Sequence, residues 1–332
     1  MITFVAKRIG AAIGVMLVLA AVLFLLQQVT PIDPVHAMLG ANASPDKVAA
    51  ERHALGYDRP LVEQYVSYVV GITHGDLQSS LRTRRPVTTD LADFLPATIE
   101  LAFYGVVMAL VLGGALGLLT AARFKGAGVL RLGLVGFASA PVFLLALLGI
   151  LVFYRQLGWL PATGRTSFSN IPKGPTNLLT VDSLIHGRFD VFVDAQKHLL
   201  MPAFCVAIGP AVAIGRVLRS SLLTTLQTDY VRTARSKGLR ERTVILRHAL
   251  RNSVGPALSM TGLQVGLMFA GVVVIESIFA WPGIGFYTVQ SIPRTDFPAI
   301  AGVTLVLGAG YVLVNTLVEI GQAVADPRLK LS

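Results

Sequence analysis

The sequence predicts an all-α integral membrane protein with six transmembrane helices. Three observations carry that expectation. Of its 332 residues, 54% are hydrophobic and only 14% charged, where soluble domains carry about 25% charged residues. Mean hydropathy is +0.67, so the folded chain would present more apolar surface than water tolerates. Six apolar runs, at about 9–29, 97–122, 130–154, 199–221, 256–280 and 298–320, are each long enough to cross a bilayer core. That core is about 30 Å thick, and a helix rises about 1.5 Å per residue.

The first run follows Lys7 and Arg8, as in a signal peptide. Its apolar stretch from Ile9 to Val29 exceeds the usual core of about 7–15 residues, so a retained signal-anchor helix is expected. Residues 30–96 are too long for a turn. Ser44-Pro45 reads as an N-cap with Pro at the first helical position, and Gly56 can end that helix. A second helix near 60–72 would set Leu61, Tyr65 and Val69 on one stripe. Residues 155–198 hold the loop signal Ile171-Pro172-Lys173-Gly174-Pro175 and then a mixed polar–apolar run. Both segments are expected to be amphipathic and to lie on the outer membrane face. The expected division is a first transmembrane helix at 1–29, an extracytoplasmic segment at 30–96, and a core at 97–332 with five transmembrane helices and a cytoplasmic loop at 222–255.

The net charge of +10 fits topology better than nucleic-acid binding. With the N-terminus inside, the cytoplasmic segments hold 16 Lys/Arg and the much longer outer segments 12. The positive-inside bias then places both termini in the cytoplasm. No G-x-x-x-x-G-K-[ST] and no Gly-Lys dipeptide occurs, which excludes a Walker-type phosphate loop. No H-E-x-x-H, no cysteine pair and no G-x-S-x-G occurs either. Cys205 reads as a small buried hydrophobe, and the six histidines are scattered. No catalytic, cofactor-binding or metal-binding residue is expected.

Ionisable residues at membrane depth are costly and often functional. Glu100, Glu276 and Glu319 all fall close to helix ends, where anchoring or pairing between helices is the favoured reading. Glu276 is the best functional candidate, because Trp281-Pro282-Gly283-Ile284-Gly285 forces a turn beside it. Arg216 and Arg219 are expected to snorkel to the interface. Pro141, Pro202 and Pro210 can kink their helices. Neither a proton relay nor the Gly/Pro-broken polar pair of an ion-coupled carrier is present.

Between the fourth and fifth runs lies DYVRTARSKGLRERTVILRHALRN, residues 229–252, with seven Lys/Arg. Leu222, Leu226, Tyr230 and Ala234 recur every fourth residue, so one apolar stripe is expected to continue out of the membrane. Gly238 suits a left-handed helix-terminating position. A second helix at about 240–251 would end at Asn252, Gly255 and Pro256. Composition alone reads this as a basic segment on anionic lipid.

The spacing resembles the EAA loop of bacterial ABC-importer permeases, E-A-A-x-x-x-G followed by a hydrophobic helix. Gly238 matches the glycine and Ala234 the second alanine, with Thr233 for the first alanine and Arg232 for the glutamate. The resemblance narrows to the B-type permeases of dipeptide/oligopeptide transporters. It runs in order through P-I-D-P at 31–34, LGYDRPLVEQY at 55–65, GDLQSSLRTRRPV at 75–87, LPATIEL at 95–101, GWLPATG at 158–164, ESIFAWPGIG at 276–285 and the terminal DPRLKL.

The resemblance implies a type I ABC-importer-like permease fold in the bacterial cytoplasmic membrane. It implies a homologous second permease as the other half of the pathway, and two ABC ATPase subunits that bind the ATP and magnesium. An extracytoplasmic substrate-binding protein and membrane lipids complete the partners, with no nucleic acid. Tyr230, Arg232, Thr233, Ala234 and Gly238 would form the coupling contact, the apolar face seated in an ATPase groove. Nickel, an opine or glutathione would be alternative cargoes of the same machine. A stand-alone carrier or intramembrane enzyme is disfavoured by the missing acids and catalytic motifs.

Overall fold

The structure is a computed structural model that describes residues 2–29, 34–39, 43–54, 56–122, 125–171 and 174–325. Residues 31–33 of the P-I-D-P motif, the terminal DPRLKL and the side chain of Glu319 lie outside the described residues. Among the described residues the structure is helical, with one isolated antiparallel bridge between Ser79 and Pro86. The chain forms two compact units, Met1–Phe94 with Tyr287–Val312, and Leu95–Phe286 with Leu313–Ser332.

The first unit opens with α1 (Ile2–Val29), α2 (Pro34–Leu39), α3 (Pro45–Ala54) and α4 (Leu61–Thr73). Helix α3 starts at Pro45, as the Ser44-Pro45 signal predicts, and the chain turns at Gly56 with φ +72°. In α4 the expected stripe is partly realised. Tyr65 and Val69 pack around Ala20, Leu23, Ala301 and Leu305, whereas Leu61 is more than half exposed. The Tyr65 hydroxyl also donates to the Leu17 carbonyl of α1 at 2.9 Å.

The long helix α5 (Val87–Ala121) begins ten residues before its apolar run. Its extension carries Asp90, buried with Oδ2 accepting from Thr83, and Thr98 follows just inside the run, buried and bonded to Glu276. Pro96 therefore lies inside the helix, where hydropathy alone sets a boundary. Next come α6 (Ala127–Ser139) and α7 (Val142–Gly149), the latter continued by a π-helical turn at Ile150–Gln156. The third run was expected as one helix; instead α6 and the α7 segment meet at a bend of 109°. The residue before a proline is driven out of the helical region, and Ala140 accordingly has ψ 146°.

After an irregular stretch come α8 (Leu179–Ile185) and α9 (Phe189–Thr225), then α10 (Asp229–Ser236). The short α11 (Glu241–Thr243) and a π-helical turn at Val244–Ala249 lead straight into α12 (Leu250–Ile278). The helix end expected at Asn252–Pro256 is thus absent. Gly255 has no Cβ to clash with the ring of Pro256, which removes one of the contacts by which a proline ends the preceding turn. Finally α13 (Ile284–Ser291), a 3-10 turn at Ile292–Arg294 and α14 (Phe297–Ala325) complete the chain.

Among the described residues four helices, α1, α5, α9 and α14, are individually long and apolar enough to cross a membrane. Counting the bent α6–α7 pair and the α11–α12 helix, which bends by 50° between Phe269 and Gly271, gives six. In the second unit α5 and α9 touch through small residues. A Cβ on Gly113 would sit 2.7 Å from the Ala211 carbonyl, and one on Gly117 would sit 2.8 Å from the Leu218 Cβ. This is the small-x-x-x-small contact by which membrane helices approach closely. Around it, Ala207, Ile214, Leu218 and Leu222 of α9 are buried with Ala249 and Ala257.

Candidate functional site

One end of the second unit holds the basic hairpin. Helix α10 ends in a Schellman motif. The Leu239 N–H donates to the Ala234 carbonyl at 3.4 Å and the Gly238 N–H to Arg235 at 2.9 Å, with Gly238 at φ +74°. A Cβ on Gly238 would meet open space, so its requirement is conformational and not steric. Across this turn Arg235 forms a bidentate pair with Glu241, at 2.7 and 3.0 Å. That hydrogen bond raises the arginine pKa further above its ordinary value. At the base, the Ser253 hydroxyl donates to Thr225 Oγ1 at 2.9 Å, and Asn252 donates to the Tyr230 hydroxyl oxygen at 2.8 Å.

The apolar stripe differs from expectation. Helix α9 stops at Thr225, so the four-residue rhythm does not continue through Tyr230. Val231 and Ala234 are buried against Val244, with Leu226 beside them. Tyr230, Arg232 and Thr233 face outward. The apolar face expected to meet a partner is therefore the hairpin's own core, and the polar face with the Tyr230 ring is the one presented. The pattern missed this because α9 and α10 are separate helices with unrelated phase.

The opposite end of the same unit gathers three of the sequence motifs into one buried network. Glu276, fully buried, receives the Thr98 hydroxyl at 2.6 Å on Oε1. Its Oε2 receives the N–H groups of Gly285 at 2.7 Å and Phe286 at 3.1 Å. The carboxylate thus caps the N-terminus of α13, where the helix dipole favours negative charge. Thr98 Oγ1 in turn accepts from the Ile284 N–H at 2.9 Å, and Trp281 Nε1 donates to the Ala97 carbonyl at 2.8 Å. A Cβ on Gly283 would lie 2.1 Å from Glu276 Oε1. The glycine leaves the space that the carboxylate fills.

Glu100 is 3% exposed and pairs with Arg165 at 2.5 Å. It also accepts from the Thr180 N–H at 2.8 Å and the Thr180 hydroxyl at 2.6 Å. The Arg165 guanidinium lies 5.7 Å over the Trp281 ring, and the Gly164 N–H donates to the Phe279 carbonyl at 2.8 Å. Glu100 and Glu276 are anchors between segments, as their positions near helix ends suggested. Sequence reasoning singled out neither Arg165, Thr98 nor Thr180. An arginine directly after GWLPATG, in a chain with acids near the ends of its apolar runs, was the available signal.

In the first unit GDLQSSLRTRRPV folds back on itself and is held by carboxylates. Asp296 accepts from the Ser80 hydroxyl and, at 3.0 Å, from the Arg82 N–H. Asp90 accepts from the Thr83 hydroxyl at 2.5 Å and the Tyr287 hydroxyl at 2.9 Å. Arg82 lies 5.0 Å over the Tyr287 ring. Burial, and the adjacent Asp90, push the Tyr287 pKa up.

Comparison with known proteins accounts for both ends of the chain. Residues 96–331 match the family described as binding-protein-dependent transport system inner membrane component, and residues 1–102 match the N-terminal family of the same components. The di/tripeptide transport system permease protein DppB of Pseudomonas aeruginosa is 37% identical, over 99% of this chain and 99% of its own. The dipeptide permease DppB of Alkalihalophilus pseudofirmus is 35% identical, over 99% and 100%. The probable D,D-dipeptide permease DdpB of Escherichia coli is 39% identical, over 95% of each. Full-length relatives at this identity, together with the two family models that cover the chain between them, place it in the family of binding-protein-dependent transport system inner membrane components.

Proposed function

We propose that this chain is the membrane-spanning half of an ATP-driven importer for di- and oligopeptides. The α10 hairpin is its contact with an ATPase subunit. A homologous permease supplies the other half of the pathway, two ATPases supply the nucleotide and magnesium chemistry, and a substrate-binding protein delivers cargo from outside. The peptide cargo rests on the three relatives, each named for a peptide substrate. Both termini lie on the cytoplasmic side, a reading supported by the Lys/Arg bias and by the hairpin's need to reach a cytoplasmic ATPase.

The observation that carries the coupling role is the rigidity of the hairpin. Its apolar face is closed by Val231, Ala234 and Val244, its turn is spanned by Arg235–Glu241, and its second limb runs unbroken into α12. A partner pushing on Tyr230, Arg232 and Thr233 would move the whole limb instead of bending it. The test is reconstitution with the co-purifying ATPases in vesicles containing anionic lipid. Replacing Tyr230 and Thr233 together by aspartate should leave assembly intact and lower peptide uptake per ATP hydrolysed by about tenfold or more, as for loss of about 1.4 kcal/mol of contact. Unchanged uptake per ATP in an intact assembly would remove the coupling assignment. Absence of any ATPase or second permease on gentle purification would remove the importer reading itself.

A further inference from the structure

Next to the hairpin's base, α5, α6 and α9 enclose a recess of about 680 Å³. Arg131, Arg216 and Arg219 line it together with Leu116, Leu132 and Val135. None of the three arginines has an ion-pair or hydrogen-bond partner among the described residues. Arg219 Nε is moreover fully shielded within the protein. Arg131 and Arg216 are exposed while Arg219 Nε is shielded, and a buried N–H without an acceptor costs free energy. Three guanidinium groups converging on one recess attract an anion.

The position of the recess indicates which anion. Arg131 lies four residues from the start of α6, and Arg219 six from the end of α9, or about 6 and 9 Å along their axes. A phospholipid headgroup layer is about 5–8 Å deep on each side of the hydrocarbon. The remaining wall is aliphatic apart from Thr120, whose hydroxyl donates to the Leu116 carbonyl, and Leu132 is 76% exposed on its outer lip. Gly128 and Gly215 put no side chain into the space. A cationic floor at headgroup depth with an aliphatic rim matches a phosphate ester that carries acyl chains. A soluble phosphate would use the arginines but leave the rim in contact with water. Arginine suits the role because its planar fork pairs with two phosphate oxygens at once.

We infer that this recess binds the phosphodiester headgroup of an anionic phospholipid, with Arg131, Arg216 and Arg219 as its ligands and Leu132 and Val135 against an acyl chain. Bound there, the lipid would brace α6 against α9 beside the hairpin.

The test is native mass spectrometry of the intact purified assembly, after exchange into detergent doped with phosphatidylglycerol, cardiolipin or phosphatidylcholine. The expected result is a retained anionic lipid that excess inorganic phosphate does not displace, and no retained phosphatidylcholine. Retention should fall about fivefold for each arginine removed, in Arg131→Gln and in Arg216→Gln/Arg219→Gln. Arg155→Gln, which lowers the net charge equally but lies elsewhere, should retain lipid as the parent does. If the double variant does not assemble, Arg131→Gln on the exposed surface of α6 decides alone. Equal retention of phosphatidylcholine, or unchanged retention in the arginine variants, would overturn the inference. Displacement by inorganic phosphate would identify a free-phosphate site instead. A photocrosslinker at Leu132 that captures the second permease in place of lipid would make the recess a protein interface.

Discussion

Gly238 and Glu276 are held for opposite reasons. Gly238 has open space where a Cβ would go, and only its φ of +74° restricts it. Gly238→Ala should therefore cost about 1 kcal/mol, the left-handed penalty of an L-residue, with the hairpin still formed. Gly238→Pro cannot adopt that φ and loses the N–H that closes the turn onto Arg235. It should abolish peptide uptake while ATP hydrolysis continues, measured side by side in vesicles. Glu276 is fixed by partners. Glu276→Ala would leave the Gly285 and Phe286 N–H groups and the Thr98 hydroxyl unsatisfied in the interior, at about 1–3 kcal/mol for each lost group. Thermal unfolding monitored by size exclusion should register a large loss. Stability equal to the parent would mean that water or another acceptor reaches α13's first turn. An Ala234 replacement by a bulky polar residue belongs with these structural changes, since Ala234 is 7% exposed. Sequence reading placed Ala234 in the motif but not in the interior, because a motif match carries no information on helix phase.

Among the elements, the α5–α9 contact and the hairpin make contrasting predictions. Gly113→Leu would drive a side chain into the Ala211 backbone carbonyl, which cannot rotate away as a side chain could. It should destabilise by about 1–3 kcal/mol or more and be rescued poorly by changes at neighbouring side chains. By comparison, Arg235 and Glu241 are 41% and 54% exposed. A double-mutant cycle should find a coupling of only about 0.5 kcal/mol that fades with salt. A much larger value would show that the pair is shielded in the assembly. Element boundaries were the least legible part of the sequence. The apolar runs located every long helix. The polar extensions at 87–96 and 189–198 were missed because their carboxylates are hydrogen-bonded by hydroxyls remote in sequence, Tyr287 for Asp90 and Thr166 for Asp194. The break at Pro141 was under-read for a different reason. Proline inside an apolar run is common in membrane helices, and only the extended Ala140 reveals which outcome was taken.

At the scale of the whole molecule, the motifs quoted from the sequence make polar contacts inside the protein. LPATIEL, GWLPATG and ESIFAWPGIG supply one network in the second unit, and GDLQSSLRTRRPV supplies another in the first. Membership in the family was thus legible, whereas the role of each motif was not, since residues that contact one another lie up to 216 positions apart. The same circumstance bears on cargo. On the proposed function, a peptide selected by the binding protein need only fit the pathway, so swapping that protein for one that selects other peptides should change the imported substrate with this chain unaltered. Uptake assays with exchanged binding proteins check this, and loss of all transport would place selectivity here.

The continuous helical passage from Glu241 to Phe269 has a mechanical consequence. Its 29 residues, which include the π-helical turn and Pro256, span about 43 Å with no loop between the exposed hairpin and the bend before Gly271. Each degree by which a partner tilts the foot sweeps the far end through about 0.7 Å at that length. A tilt of only a few degrees, too small to disturb a packed interface, would open or close a gap as wide as an amino-acid side chain on the other side of the membrane. Such gearing favours a stiff input over a large one.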